Sequence, residues 1–496
     1  MANFRLTFTT LVITTLVGSF GAASAQQTQP PNVLFIAVDD LNDWVGCMDG
    51  HPNALTPNID ALAERGTLFV NAHCQAPICG PSRASLFSGM LPSTTGIYGQ
   101  IGDKNIPKAS KKAAQAILMP DYFERHGYKT MAGGKLFHNG DSAKVFDEYG
   151  PPVSMGPKPE VRFKYDPAWF PEKIGSTQTD WAAYPERDDQ MPDYKIAEYG
   201  VNQLKKKHDQ PFFLAVGFCR PHVPFYAPKK WFEMHPIDGI KLPPYQGSDF
   251  NDIPSMSQRV NEIPAMPTTE WAIESGEWKN IVQAYLACTT FADAQVGKVL
   301  DALAASPYAD NTVVIFCSDH GYHLGEKNRF AKQALWDQAT KMPMIISLPG
   351  SKRDSGKKSA AAVGLIDLYP TIAQICGLPA NQLNDGRSLV PLLSDANHAW
   401  PHSTITSYGR NNIAIQLDHL RFYQYEDDSM ELYDHHADPN EWKNLANDPT
   451  HADTIKRMKQ QIPKKLAPAS KRITYPTNLY FIEKSKLEKN SVKNAK

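Results

Sequence analysis

The strongest constraint on the fold is a repeated alternation along the chain. Short apolar runs rich in β-branched residues are followed by longer stretches of helical periodicity. "NVLFIAV" (32–38), "PFFLAVGF" (211–218) and "NTVVIFCS" (311–318) are nearly continuous apolar segments, the pattern of a strand buried on both faces. "TPNIDALAERG" (56–66) predicts a short helix, with Thr56 as N-cap, Pro57 in the first turn and Gly66 as stop. "TLFVNAH" (67–73) predicts a strand. "YFERHGYKTMAGGKLF" (122–137) predicts a helix, a glycine stop and a strand. The segment 278–306 predicts a long helix, "PMIISLPG" (343–350) a strand and "IDLYPTIAQICG" (366–377) a helix. Strands that alternate with helices predict an α/β domain with a large, mostly parallel central sheet flanked by helices.

Ligands of such sheets collect beyond the carboxyl ends of the strands. Asp39-Asp40, Arg220-Pro221-His222 and Asp319-His320 each directly follow a predicted strand. Residues far apart in sequence are therefore expected on one rim.

The texture changes after about residue 395. The segment 412–434 alternates polar and apolar residues, as antiparallel strands do. "ADPNEWKNLANDP" (437–449) predicts a turn and a short helix, and "ADTIKRMKQQIPKK" (452–465) a last helix before a lysine-rich tail, "IEKSKLEKNSVKNAK", expected to be solvated. The expected division is a signal peptide at 1–25, a catalytic domain at 26–395, and a smaller C-terminal α+β subdomain with its antiparallel sheet and basic tail at 396–496. The Pro-rich stretches 150–190 and 225–270 read as long loops over the sheet, a usual place for substrate selection.

The signal peptide is read from Arg5, the apolar run after it and Ala23-Ser24-Ala25, an A-x-A cleavage site. No other stretch is apolar enough to cross a bilayer. The chain is thus expected to be periplasmic or secreted, with no membrane span after cleavage. A net charge of −1 gives no broad basic field, so no nucleic-acid partner is expected. The seven cysteines are scattered and odd in number, and none forms a C-x-x-C pair. At least one is free or chemically altered.

Adjacent carboxylates at a strand end repel each other unless a cation neutralises them, and their hard oxygens suit Ca²⁺ or Mg²⁺. A lone Asp-Asp is also a common turn. The second strand ending in Asp-His raises the offer to three carboxylates and an imidazole. In "CQAPICGPSRASLFSG" (74–89), Pro81 suits the first turn of a helix and Gly89 its end. Cys79 then sits at a helix N-terminus, where negative charge is favoured. On its own this describes either a reactive thiolate or a small buried residue.

"CGPSRASLFSG" is similar throughout to the C-x-P-S-R maturation signature of the type I, formylglycine-dependent sulfatases of the alkaline phosphatase superfamily. Residues 31–83, "SDHGYHLGEKNRFAKQALWDQATKMPMI" (318–345), 366–379 and "ELYDHHADPNEWKNLA" (431–446) resemble further blocks of that family. "GKLFHNG", with Lys135 and His138 three apart, the Asp-His pair and "CRPHVPF" resemble its iduronate-2-sulfatase-like bacterial branch.

The resemblance implies an alkaline-phosphatase-like fold and a sulfuric ester hydrolase. It implies that a formylglycine-generating or anaerobic sulfatase-maturating enzyme converts Cys79 to an aldehyde. The hydrated aldehyde, a gem-diol, attacks sulfur through one hydroxyl and expels the sulfate when the other loses its proton. One Ca²⁺ per subunit is implied, held by Asp39, Asp40, Asp319, His320 and the diol at 79, with His320 alternatively touching the nucleophile. Arg83 is implied to hold the diol, Lys135 and Lys332 to clamp sulfate oxygens, His138 to act as base and His222 as acid toward the leaving sugar. Lys332 as a surface lysine and His138 as a loop residue are the plainer alternatives.

Ser82 and Ser85 are assigned to the maturation motif and to capping, Cys74 to structure, and Asp293 to no site role. The implied substrate is a sulfated oligo- or polysaccharide, with an O2-sulfate on a hexuronic acid or related sugar of a glycosaminoglycan or algal polysaccharide. Arg220 and Arg387 are possible partners of a uronate carboxylate. Two other readings remain open: a phosphonate or phosphodiester hydrolase on the same scaffold, and a silent binder of sulfated glycans.

Overall fold

The structure, a computed structural model, describes residue 1 and residues 30–139, 144–160, 179–351, 355–475 and 477–494. The predicted signal peptide and part of the first Pro-rich stretch lie outside the described residues.

Eight strands form the central sheet. They are β1 (Asn32–Val38), β2 (Thr67–Phe69), β3 (Lys129–Gly134), β4 (Glu148–Tyr149), β5 (Phe212–Phe218), β6 (Thr312–Ser318), β7 (Met344–Ser347) and β8 (Lys357–Ser359). Their order is β8-β2-β7-β6-β1-β5-β3-β4. β7 runs antiparallel to both neighbours, and the other pairings are parallel.

β1 shows why the strand sequence is apolar at every step. Val33, Phe35 and Ala37 pack on one face with α2 (Cys79–Ser88) and the helix Leu368–Ile375. Leu34, Ile36 and Val38 pack on the other with α1 (Pro57–Ala63), α3 (Pro192–Lys205) and α4 (Trp278–Ala304). Two helical layers leave a central strand no polar face. Each large apolar side chain buried this way contributes about 1.5–3 kcal/mol.

The C-terminal region holds a four-stranded antiparallel sheet, β9 (Thr404–Ser407), β10 (Ile413–Leu417), β11 (Leu420–Gln424) and β12 (Met430–Asp434), in sequential order. Its alternation is used on both sides. Ile413, Ile415, Phe422 and Leu432 meet Met458 of the helix Ala452–Lys459. Ala414, Tyr423 and Tyr433 face Trp336, Tyr480 and Phe481.

Two local expectations are corrected. "TLFVNAH" is two strands, because β2 joins the central sheet while Ala72–His73 pairs with Val363–Gly364. Residues 437–448 form turns without a helix. Glu441 sits there at φ 57° and turns inward to accept the Tyr423 hydroxyl, outside the helical range. The lysine-rich tail continues a helix that spans Leu479–Asn494, and just before the tail Phe481 stacks on Tyr475 at 4.1 Å. Two aromatic residues at 480 and 481 give that helix an anchor which the charge pattern after them conceals. Among the described residues no helix is long and apolar enough to cross a membrane.

Candidate active site

Four neighbouring parallel strands, β6-β1-β5-β3, end at the same level. Val38 pairs with both Ser318 and Phe218, and Gly134 with Gly217. The residues that follow therefore leave the sheet on one rim: Asp319-His320, Asp39-Asp40, Cys219 to His222, and Lys135. The β3–β5 end is drawn especially close, with Lys135 N–H donating to Gly217 O at 2.7 Å. A Cβ on Gly217 would lie 2.2 Å from the Lys135 carbonyl oxygen, and Gly134 has φ +82°. Both positions require glycine.

α2 points its N-terminus into this rim and is buried along its whole length. Cys79 Sγ lies 3.2 Å from Lys332 Nζ, 3.3 Å from His320 Nε2 and 3.8 Å from Lys135 Nζ. One turn on, Arg83 donates from Nε to Asp319 Oδ2 at 2.9 Å and from Nη2 to Asp39 Oδ1 at 3.1 Å. Its Nη1 donates to the Lys135 and Leu136 carbonyls. Ser82 Oγ donates to the Asp319 carbonyl, so the motif serine fastens the helix to the strand end.

Lys135 donates to Asp39, and Lys332 Nζ to Asp40 Oδ1 at 2.6 Å. His222 Nε2 is 3.9 Å from a carboxylate oxygen of each of Asp39 and Asp40. Its Nδ1 is 2.6 Å from the Val223 carbonyl, which leaves Nε2 facing the rim. Lys332 is buried and not a surface lysine.

These charges set one another. Burial pushes the Cys79 thiol up, but the ammoniums of Lys135 and Lys332, with His320 and His138, outweigh it and hold the thiol well below its ordinary value. Burial and the neighbouring Cys79 push the Asp39 carboxyl up, and Lys135, His222 and Arg83 bring it below the usual carboxylate range. Burial lowers His320, yet Asp319 and Cys79 raise it to about 9.

Asp40 adopts φ 62°, a left-handed conformation that aspartate tolerates better than most residues. Its carbonyl accepts from Tyr285 Oη at 2.9 Å, and its N–H donates to Asp319 Oδ1.

Asp39, Asp40, Cys79 and His320 offer donor atoms that all lie within 4.8 Å of one another. Asp40 Oδ2 is buried without a hydrogen-bond partner. A buried carboxylate oxygen with nothing to accept from is costly unless a cation meets it. The paired carboxylates present fit a divalent cation.

His138 is half-buried at the edge of this set. It is held by Gln100, whose Nε2 is 2.6 Å from His138 Nε2 while its Oε1 accepts from Gly80 N–H at 2.8 Å. Gln100 and Tyr285 escaped the sequence reading. Both are lone polar or aromatic residues outside any motif, and only the fold brings them to the rim.

Several other assignments resolve. Arg220 is buried and donates to the Tyr226, His222 and Met155 carbonyls, so its guanidinium braces the loop and is not presented to a uronate. Arg387 is exposed, and its N–H donates to Asp367. Asp293 accepts from the N–H groups of Asn58 and Ile59 at the start of α1, a helix-terminus role. Cys74 is buried and unpaired, as are Cys79, Cys219, Cys288, Cys317 and Cys376; Cys47 is half-buried and also unpaired.

A large, mostly parallel sheet between helical layers, with paired carboxylates and the N-terminus of the Cys79 helix at its carboxyl edge, is the alkaline-phosphatase-like architecture of sulfuric ester hydrolases. The chain belongs to the sulfatase family, whose sequence profile matches residues 31–378. The profile of the N-sulphoglucosamine sulphohydrolase C-terminal region matches residues 325–467. A sulfatase of Formosa agariphila is 46% identical over 464 residues, covering 92% of this chain and 91% of that one. The iduronate 2-sulfatase of Mus musculus is 33% identical over 424 residues, 73% of each chain. In fold, a solved 2-O GAG sulfatase superposes with a TM-score of 0.65 at 24% identity, covering 87% of this chain and 91% of the other. The family generally uses a formylglycine and a divalent metal.

Proposed function

We propose that this sulfatase removes sulfate from a sulfated carbohydrate, specifically an O2-sulfate on a hexuronic acid or related sugar of a glycosaminoglycan or algal polysaccharide. The observation that carries the reading is the surroundings of Cys79: a buried helix-terminal sulfur between two ammoniums, 3.2 and 3.8 Å away, beside paired carboxylates. Similarity to iduronate 2-sulfatase over 73% of the chain supports the sugar class.

In this reading Cys79 is the precursor of formylglycine, made by a separate maturation enzyme in a periplasmic or secreted protein. Asp39, Asp40, Asp319 and His320 would hold Ca²⁺, which when bound supplies positive charge to the nucleophile and the sulfate. Lys135 and Lys332 bind sulfate oxygens and neutralise the charge that spreads over them in the transition state. Arg83 keeps Asp39 and Asp319 in position and supports position 79. His222 gives a proton from Nε2 to the leaving sugar oxygen, its Nδ1 held by Val223. His138, steadied by Gln100, takes a proton at position 79.

The test is mass spectrometry of the peptide containing position 79, from protein made with a maturation enzyme, followed by sulfate release from defined oligosaccharides. Conversion of CH₂–SH to CHO, with release from 2-O-sulfated uronates ahead of 6-O-sulfated sugars and phosphonate monoesters, is the expected result. Faster turnover of a phosphonate monoester would overturn the substrate assignment. An unmodified thiol from a host that converts other C-x-P-S-R proteins would overturn the mechanism.

A further inference from the structure

A second cluster of metal-ligating side chains lies on the C-terminal sheet and shares no residue with the rim. Leu417 pairs with Leu420, so Asp418 and His419 form a two-residue turn between β10 and β11. Leu420 pairs with Asp434, and His435 N–H donates to His419 O at 2.9 Å. This ladder end places His419 against the segment Asp434 to His436, fifteen or more residues later. Donor atoms of His419, Asp434 and His436 lie within 4.8 Å of one another.

Three features make this more than a surface coincidence. The first is orientation: His419 Nδ1 is 2.9 Å from Asp418 Oδ2, and its Nε2 faces Asp434 Oδ1 at 3.9 Å, beyond hydrogen-bond range. A carboxylate on one ring nitrogen fixes the tautomer and leaves the other lone pair free, the arrangement that supports metal-binding histidines. Second, the His419 and His436 rings stack at 4.3 Å and 9°. This stacking brings both imidazoles to the same end of the strand ladder. The third is the neighbouring space. His419 and His436 border a cavity of about 170 Å³ that Asp337 and Gln416 also line. Asp337 Oδ1 and Gln416 Oε1 are buried there without a hydrogen-bond partner.

We propose that His419, Asp434 and His436 bind one borderline divalent transition-metal ion of the zinc type, with Asp418 orienting His419. Two imidazoles and one carboxylate select such an ion over Ca²⁺. Zinc–ligand bonds of about 2.0–2.2 Å require the donor atoms to close up. His436 is exposed, and the side chains of His419 and Asp434 are only partly buried. Rotation of these side chains, including a turn of the stacked rings toward one another, supplies the movement while the strand ladder stays in place.

The test uses the full chain without a polyhistidine tag, saturated with Ca²⁺ so that hard-ligand binding at the rim is occupied. Zn²⁺ is titrated by calorimetry, and Co²⁺ is followed by its visible absorption. The wild type is expected to bind one more Zn²⁺ than His436→Ala, with unchanged sulfate release and melting temperature in that variant. Asp418→Asn is expected to weaken zinc binding by about 10–100-fold without changing stoichiometry. Equal zinc stoichiometry and affinity in the wild type, His436→Ala and Asp434→Asn would overturn the proposal. So would a wild type that binds no zinc at all. If His419→Ala fails to fold, the exposed His436 still gives a decisive comparison.

Discussion

Asp40 and Glu431 are both buried carboxylates, and their surroundings separate a site from a seam. Glu431, on the C-terminal sheet, accepts from Tyr433 Oη at 2.6 Å, Tyr425 Oη at 2.8 Å and Trp336 Nε1 at 3.2 Å. Neutral donors satisfy it within the protein. Asp40 has a lysine on one oxygen and no hydrogen-bond donor on the other. The same contrast holds for two buried lysines five residues apart. Lys327 donates to Asp249 at 2.9 Å and to the Glu441 carbonyl, tying the C-terminal region to the main body. Lys332 lies between Asp40 and Cys79. Burial of charge marks both regions. Only an unmet valence, beside a group whose charge is set by its neighbours, marks the one built to receive something.

That contrast can be broken by substitution. Cys79→Ala should have the largest effect: sulfate release falls by at least ~10⁴-fold, while the melting temperature holds, because a small residue still fills the helix start. Arg83→Met should come next, since it strands two buried carboxylates. A loss of about 3–5 kcal/mol in urea unfolding is expected, with activity lost as well. Lys332→Ala should lower kcat by about 10²–10³-fold, whereas Lys327→Ala should lower the melting temperature and leave kcat of the folded enzyme within about twofold. Equal kinetic losses in the two lysine variants would erase the distinction drawn here. Glu431→Gln should have the smallest effect: about 1–3 kcal/mol of stability, as one oxygen of the acceptor pair becomes a donor facing donors, with kcat unchanged.

Legibility in the sequence followed the range of the interactions. The strands β1, β5 and β6 and the helix α4 were readable because burial on both faces, or on one stripe, writes its period into adjacent residues. The helix at 479–494 was not read, because its two anchoring aromatic residues are outnumbered by the charges after them. The turn at 437–448 was misread as partly helical because Glu441 turns inward to a tyrosine that the local sequence does not reveal. Asp39, Asp40, Cys79, Arg83, Asp319 and His320 were legible because each lies in or beside a short motif. Gln100, Tyr285 and the His419–His436 pair carry no local mark.

By itself, then, the sequence determined the alternation of strands and helices, the cysteine motif at a helix start and the polar residues that follow three strands. Local periodicity and steric punctuation encode those directly. Only the tertiary structure decided that β6, β1, β5 and β3 lie side by side and end level. It also decided that Lys135 and Lys332, 197 residues apart by their numbers, flank one sulfur, and that one oxygen of Asp40 is left without a hydrogen-bond partner. Parallel neighbours are joined by crossovers of a dozen or more residues. Which strand ends meet at the rim is therefore set by packing of the whole sheet, and no short stretch of chain contains it.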